Sequence, residues 1–282
     1  MEKNSLTKYK LYLKSQDLKT STIKNYSWHV GQFLLWSDNK SASPRPRGSD
    51  PRGGGPAFGG KITIPLLKKY KEFLLTKQKN IGSINLRLII INSYLRFIGI
   101  RYTFDLLSEH KKQLAALDPL QLQNFLDQPL KKNNPVGHRD KALLEILYTS
   151  ALKVSDLINL KKNQVDFLSR EIIVGKKHIP LPPYALHYLE KYLNFRRDKS
   201  PWLFINFDRS KKAGDKALSV RSVERIIEKY AWALRPRLKI TPQILRNTLA
   251  YQLKSQGVKD LGLKEALHFK TKVAAGNYLN RL

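Results

Sequence analysis

Near the C-terminal end the chain reads Thr241-Pro-Gln-Ile-Leu-Arg-Asn-Thr-Leu-Ala-Tyr and continues to Tyr278. Arg246 is a permanent cation and Gln243 a neutral hydrogen-bond donor. Pro242 suits the first turn of a helix and Thr241 its cap, while Leu245, Leu249 and Leu253 recur at four-residue spacing on one face. Gln243 and Arg246 lie three apart, on one side of that helix near its positive end. Backbone N–H groups and a guanidinium can converge on a phosphate there. An isolated Arg at this place is usually just solvated, so other segments must complete the chemistry.

Two further segments carry cations at informative places. Tyr148-Thr-Ser-Ala-Leu-Lys-Val-Ser-Asp-Leu-Ile-Asn-Leu contains Lys153, with Arg139-Asp-Lys-Ala-Leu-Leu before it and Val165-Asp-Phe after it. Glu171-Ile-Ile-Val-Gly-Lys-Lys-His-Ile-Pro-Leu reads as two β segments around a tight basic turn that presents Lys176 and Lys177. Together these segments resemble the tyrosine recombinases of the phage integrase and Xer type. That family carries a T-G-L-R-x-S-E-L box, a hairpin lysine, a T-P-H-x-L-R-H-T-F-A motif, a Leu-Gly-His box and a tyrosine nine residues on.

The resemblance implies a role for each residue. Tyr278 would be the nucleophile that forms a 3′-phosphotyrosyl bond, Arg246 a phosphate ligand, and Lys176 the hairpin lysine, with Lys177 as the alternative. Lys153 stands at the family's first arginine, Gln243 at its first histidine and Phe269 at its second, with His268 adjacent. Lysine keeps the charge at 153 but lacks the planar fork that binds phosphate oxygens in pairs. Gln243 cannot exchange a proton, and Phe269 offers no donor at all. The expectation is a DNA-binding protein of site-specific recombination or integration whose own strand cleavage is weakened or absent. An active recombinase cutting through Tyr278 is the alternative, and an RNA-binding protein is a third reading. No metal or cofactor is called for.

Composition supports a polyanionic partner. Lys and Arg number 52 against 22 Asp and Glu, a formal charge of +30, far beyond what solubility needs. Cysteine is absent, which excludes disulfides, thiolate metal sites and cysteine nucleophiles, and the six histidines show no ligand spacing. The most apolar run, Leu86 to Ile100, is interrupted by Arg87, Asn92, Ser93 and Arg96 and is too short to span a bilayer. No signal peptide opens the chain, so the expected place is the cytoplasm, on the nucleoid or its organellar equivalent. Duplex DNA is the expected partner, with a second copy or an active recombinase beside it and no membrane.

The elements that must position these residues fall into two expected domains. Residues 1–104 predict a helical, core-binding-like (SAM-like) DNA-binding domain of four helices, with a Pro- and Gly-dense disordered insertion at 41–60. Residues 101–112 lack periodicity and are expected to link the domains. Residues 113–282 predict a mixed α/β domain of the recombinase catalytic type. Its expected elements include helices from Asp118, from Arg139 and over Ser219–Leu234, and an apolar stretch at Pro201–Ile205. The fold class is therefore mostly α with a small β-sheet.

Overall fold

The computed structural model describes residues 2–41, 62–78, 80–109, 113–207 and 217–282. Apart from Ser41, the insertion expected at 41–60 lies outside the described residues. The chain divides into two compact units, Met1–His110 and Lys111–Leu282. The architecture is mostly helical with one three-stranded sheet.

The first unit holds α1 (Glu2–Ser15), α2 (Thr20–Ser41), α3 (Ile64–Lys77) and α4 (Ile81–Phe97). Thr63 and Asn80 cap α3 and α4 by accepting from the backbone N–H groups of Leu66 and Ser83. Apolar residues spaced by three and four then face inward, and Tyr9, Phe33, Leu67, Leu74, Leu88 and Ile91 are fully buried. Residues 101–109, expected to link the domains, are held to α4 by side-chain amides. Asn92 exchanges two hydrogen bonds with the backbone of Phe104 (3.0 and 2.8 Å), and Asn85 does the same with Leu107 (2.9 and 2.8 Å). Side-chain amides supply the pairing that a regular ladder would give, so an aperiodic segment packs along α4 with Phe104 in the core.

The second unit is built on α6 (Pro135–Thr149), whose residues from Arg139 to Tyr148 are all buried. It follows α5 (Pro119–Asp127), which Asp118 and Gln121 cap reciprocally. Helix α6 starts one turn earlier than Arg139, because Asn134 accepts from the N–H of Gly137 at 2.8 Å and Pro135 occupies the first turn. Gly137 sits where a Cβ would come within 2.2 Å of the Lys132 carbonyl oxygen and 2.7 Å of that of Pro129. Gly137→Ala is expected to destabilise this unit by about 1–3 kcal/mol through forced backbone movement. A urea midpoint equal to that of the wild type would refute this.

Beyond α6 come the short α7 (Val154–Leu157) and an antiparallel sheet of β1 (Val165–Asp166), β2 (Glu171–Val174) and β3 (Lys177–Pro180). Val174 pairs with Lys177, so Gly175 and Lys176 alone form the β2–β3 turn, with Gly175 at φ +62°. Pro201–Ile205 contributes buried Leu203, Phe204 and Ile205 to the core. It joins its neighbours by isolated bridges, Lys161 to Trp202 and Ile205 to Ala217. The remaining helices are α8 (Pro183–Asn194), α9 (Val220–Trp232), α10 (Pro242–Ser255), α11 (Asp260–Ala266) and α12 (Lys272–Leu279). Ser219 caps α9 as expected, and Thr241 caps α10.

Candidate active site

Helix α10 is the platform. The Thr241 hydroxyl accepts from the Ile244 N–H at 3.2 Å, which starts the helix so that Gln243 and Asn247 stack one turn apart. Arg246, next to Asn247, is half-buried. One guanidinium nitrogen donates to the Ala151 carbonyl at 2.7 Å and the other to the Leu267 carbonyl. Five N–H donors allow this and leave others free. Burial lowers the proton affinity of Arg246 below the usual arginine value, while Tyr278 and Asp156 act in the opposite direction.

Both carbonyls belong to tight helix ends. Helix α6 is followed by Ala151 at φ +47° and α11 by His268 at φ +56°, left-handed conformations that glycine adopts without strain. At the α11 end the Phe269 N–H bonds the Lys264 carbonyl (2.9 Å) and the His268 N–H that of Glu265 (3.0 Å). Helix α10 closes by the same pair of bonds with Gly257 at φ +77°. Ala151 and His268 stand where the resembled boxes carry glycine, and they hold glycine's backbone geometry. His268 therefore turns its imidazole onto the Ser150 carbonyl, Nε2 to O 2.8 Å, which makes Nε2 the protonated nitrogen. Burial, aided by Lys177 and Arg246, pushes its pKa below the usual histidine value, against the Ser150 bond, so the ring is neutral at neutral pH.

Helix α12 brings Tyr278 to this place. Its hydroxyl donates to Asn247 Oδ1 at 2.5 Å and accepts from Gln243 Nε2 at 3.4 Å, while Gln243 Nε2 also donates to Asn247 Oδ1 at 2.9 Å. Burial raises the Tyr278 pKa, with Arg246, Gln243 and Arg281 opposing, so the phenol keeps its proton near neutral pH. Phe269 lies between the two key groups. Its ring centre is 5.3 Å from the Arg246 guanidinium carbon and 5.1 Å from the Tyr278 ring centre.

The hairpin and the first box sit at the edge. Lys177, and not Lys176, lines a cavity of about 650 Å³ together with Ser150, His268 and Phe269. Lys176 occupies the exposed turn. Lys153 is exposed at the start of α7, and its side chain makes no hydrogen bond or ion pair among the described residues. The structure thus gathers Arg246, Tyr278, Gln243, Phe269, His268 and Lys177, and leaves Lys153 and Lys176 on the surface. Asn247 was absent from the expected set, although its spacing of four from Gln243 on a capped helix places it on the same face. Among the described residues no group of His, Asp and Glu is arranged to hold a metal ion, and no helix is long and apolar enough to cross a membrane.

Comparison with known proteins places the chain in a family. The profile described as "Phage integrase family" matches residues 115–282. Tyrosine recombinase XerA of Thermococcus onnurineus is 28% identical over 277 residues, covering 93% of this chain and 85% of that protein. Tyrosine recombinase XerA of Pyrococcus horikoshii is 29% identical over 271 residues, covering 93% and 84%. Among solved structures, the Tn1549 transposon integrase in complex with circular intermediate DNA superposes with a TM-score of 0.71 at 18% identity, over 97% of this chain and 94% of that one. XerH bound to its difH substrate does so with a TM-score of 0.69 at 16% identity, over 91% and 76%. At those identities the structural likeness speaks for the fold, and the profile match speaks for descent. The chain belongs to the phage integrase family, the tyrosine recombinases.

Proposed function

We propose that this protein binds duplex DNA and takes part in site-specific recombination or integration, with its own strand cleavage weakened or lost. The observation that carries this reading is the composition of the assembled site. Arg246 and Tyr278 meet around Phe269 with Lys177 at the rim. The positions that would exchange protons hold Gln243 and Phe269 instead. Phosphoryl transfer from DNA to a phenol needs donors for the developing charge and an acid for the departing 5′ oxygen. The first requirement is partly met here, and the second is not met at positions 243 and 269.

The formal charge of +30 supports binding to a phosphate backbone. The two solved neighbours named above are described as complexes with DNA or a DNA substrate. Duplex DNA is the ligand, a second copy or an active recombinase its companion there, and the cytoplasmic nucleoid its place. The deciding experiment offers the full chain nicked duplex DNA from its own genomic neighbourhood as a suicide substrate, with an active recombinase as the positive control. DNA retention on a native gel without a covalent adduct, or with one formed at least about a hundredfold more slowly than by the control, is expected. An adduct formed at the control's rate, and abolished by Tyr278→Phe, would instead establish an active enzyme.

A further inference from the structure

Asn247 is 3% exposed, and its amide is used at both ends. Its Nδ2 donates to the Ala115 carbonyl at 2.8 Å, and its Oδ1 accepts from the Tyr278 hydroxyl at 2.5 Å and from Gln243 Nε2 at 2.9 Å. A carbonyl oxygen only accepts, so the Ala115 bond fixes which end of the amide is nitrogen, and the Tyr278 hydroxyl must then be the donor. The segment around Ala115 is tied down twice more. The Leu117 N–H donates to Thr248 Oγ1 at 2.9 Å on α10, and the Leu114 N–H to the Arg281 carbonyl at 2.8 Å just beyond α12. A strap of residues 114–117 is thus fastened to the helix of Arg246 and to the end of the helix of Tyr278.

We propose that Asn247 is a positioning residue that holds the Tyr278 phenol in one place as a hydrogen-bond donor and ties that place to the 114–117 strap. An amide oxygen cannot take the phenolic proton, so Asn247 acts as a latch and not as a base. While the latch is closed, the proton of Tyr278 points at the amide oxygen, and attack on a phosphate requires that bond to open. The strap sets the latch, since moving Ala115 moves the amide that accepts from Tyr278. Its meaning for cleavage rests on reading Tyr278 as the nucleophile, but the latch itself exists without DNA.

The test therefore uses the free, full-length protein. Tetranitromethane nitration of Tyr278 is followed by mass spectrometry on the tryptic peptide Val273–Arg281, with exposed Tyr184 as internal reference. Amide hydrogen exchange of residues 113–117 is followed in parallel. Asn247→Leu and Asn247→Ala remove all three bonds of the amide, to Ala115, Tyr278 and Gln243, and are expected to nitrate Tyr278 about fivefold faster, the population shift that its one lost hydrogen bond supports. Asn247→Asp keeps an acceptor for the phenol and loses the donor to Ala115. It is expected to keep Tyr278 protected and to shift its nitration profile to higher pH. Strap exchange is expected to quicken in all three variants. General loosening of the fold would expose Tyr278 in all three alike. Unchanged nitration in the Leu and Ala variants, or equal exposure in the Asp variant, would overturn the proposal. Neither result depends on the covalent-adduct assay, so the two readings fail separately.

Discussion

The combined variant Lys153→Arg, Gln243→His and Phe269→His is expected to form the covalent DNA adduct at least about a thousandfold faster than the natural chain, since loss of one transition-state-stabilising group typically costs about a hundredfold or more. The geometry admits all three changes. Gln243 Nε2 is 3.4 Å from the Tyr278 hydroxyl, so an imidazole at 243 would stand within reach of the phenol and could accept its proton, which the amide cannot. Phe269 packs between Arg246 and Tyr278, and a smaller imidazole there would exchange a cation–π contact for a donor aimed at the same space. Lys153 is exposed, so an arginine fits without repacking, and it restores the bidentate fork. Each single change is expected to give far less, because groups that act on one transition state are not additive. The measurement is the rate of adduct formation on the nicked duplex, with Tyr278→Phe added to the triple variant as the control. A triple variant that folds and retains DNA yet forms no adduct would show that cleavage was lost for another reason. The first place to look would be the two carbonyls that hold Arg246.

How much of this was legible beforehand depended on the distance between partners. The Thr241-Pro242 start of α10 and the Ser219 start of α9 were readable because a cap bonds three residues ahead. The β2–β3 turn was readable because Gly175 supplies the required backbone conformation. The tight turn did not say which of Lys176 and Lys177 meets the cavity. That follows from the pairing of Val174 with Lys177, which leaves Lys176 at the tip. The start of α6 was missed by a turn because Asn134 and Pro135 act before the buried run begins. The spacing of four from Gln243 could place Asn247 on the right face but not give its role, since its other partners, Tyr278 and Ala115, lie 31 and 132 residues away. Nor did the spacing reveal that Arg246 would bond backbone carbonyls, because Ala151 and Leu267 expose theirs only through left-handed turns at the ends of α6 and α11.

Asp140→Ala is expected to destabilise the second unit by about 3–5 kcal/mol, the cost of leaving a buried charge without its partner. Asp140 is fully buried on α6, and each of its oxygens has a task. Oδ1 accepts from Arg139 Nε and Nη2 at 2.9 and 2.6 Å, and Oδ2 accepts from the Tyr230 hydroxyl at 2.8 Å and, more distantly, from Lys229 at 3.4 Å. Arg139 is itself only 6% exposed, with its remaining bond to the Ile205 carbonyl at 3.2 Å. Removing the carboxylate would strand that guanidinium and cut the polar tie between α6 and α9. Exposed ion pairs such as Arg221 with Glu224 should cost less than about 1 kcal/mol when broken, so burial decides the ranking. Because the two units can unfold separately, the measurement uses a Trp28→Phe, Trp36→Phe background, which leaves Trp202 and Trp232 to report urea unfolding of the second unit alone. Replacing the pair together, Arg139→Met with Asp140→Leu, should recover much of the loss, since no charge is then left buried. A single Asp140→Ala cost below about 1 kcal/mol would mean that water reaches Arg139 and that the network is not closed. The consequence reaches the site, because α6 ends at Thr149 and leads directly into Ser150 and Ala151, whose carbonyls hold His268 and Arg246. A shift of α6 would move both anchors, and DNA affinity could survive while the geometry around Tyr278 does not.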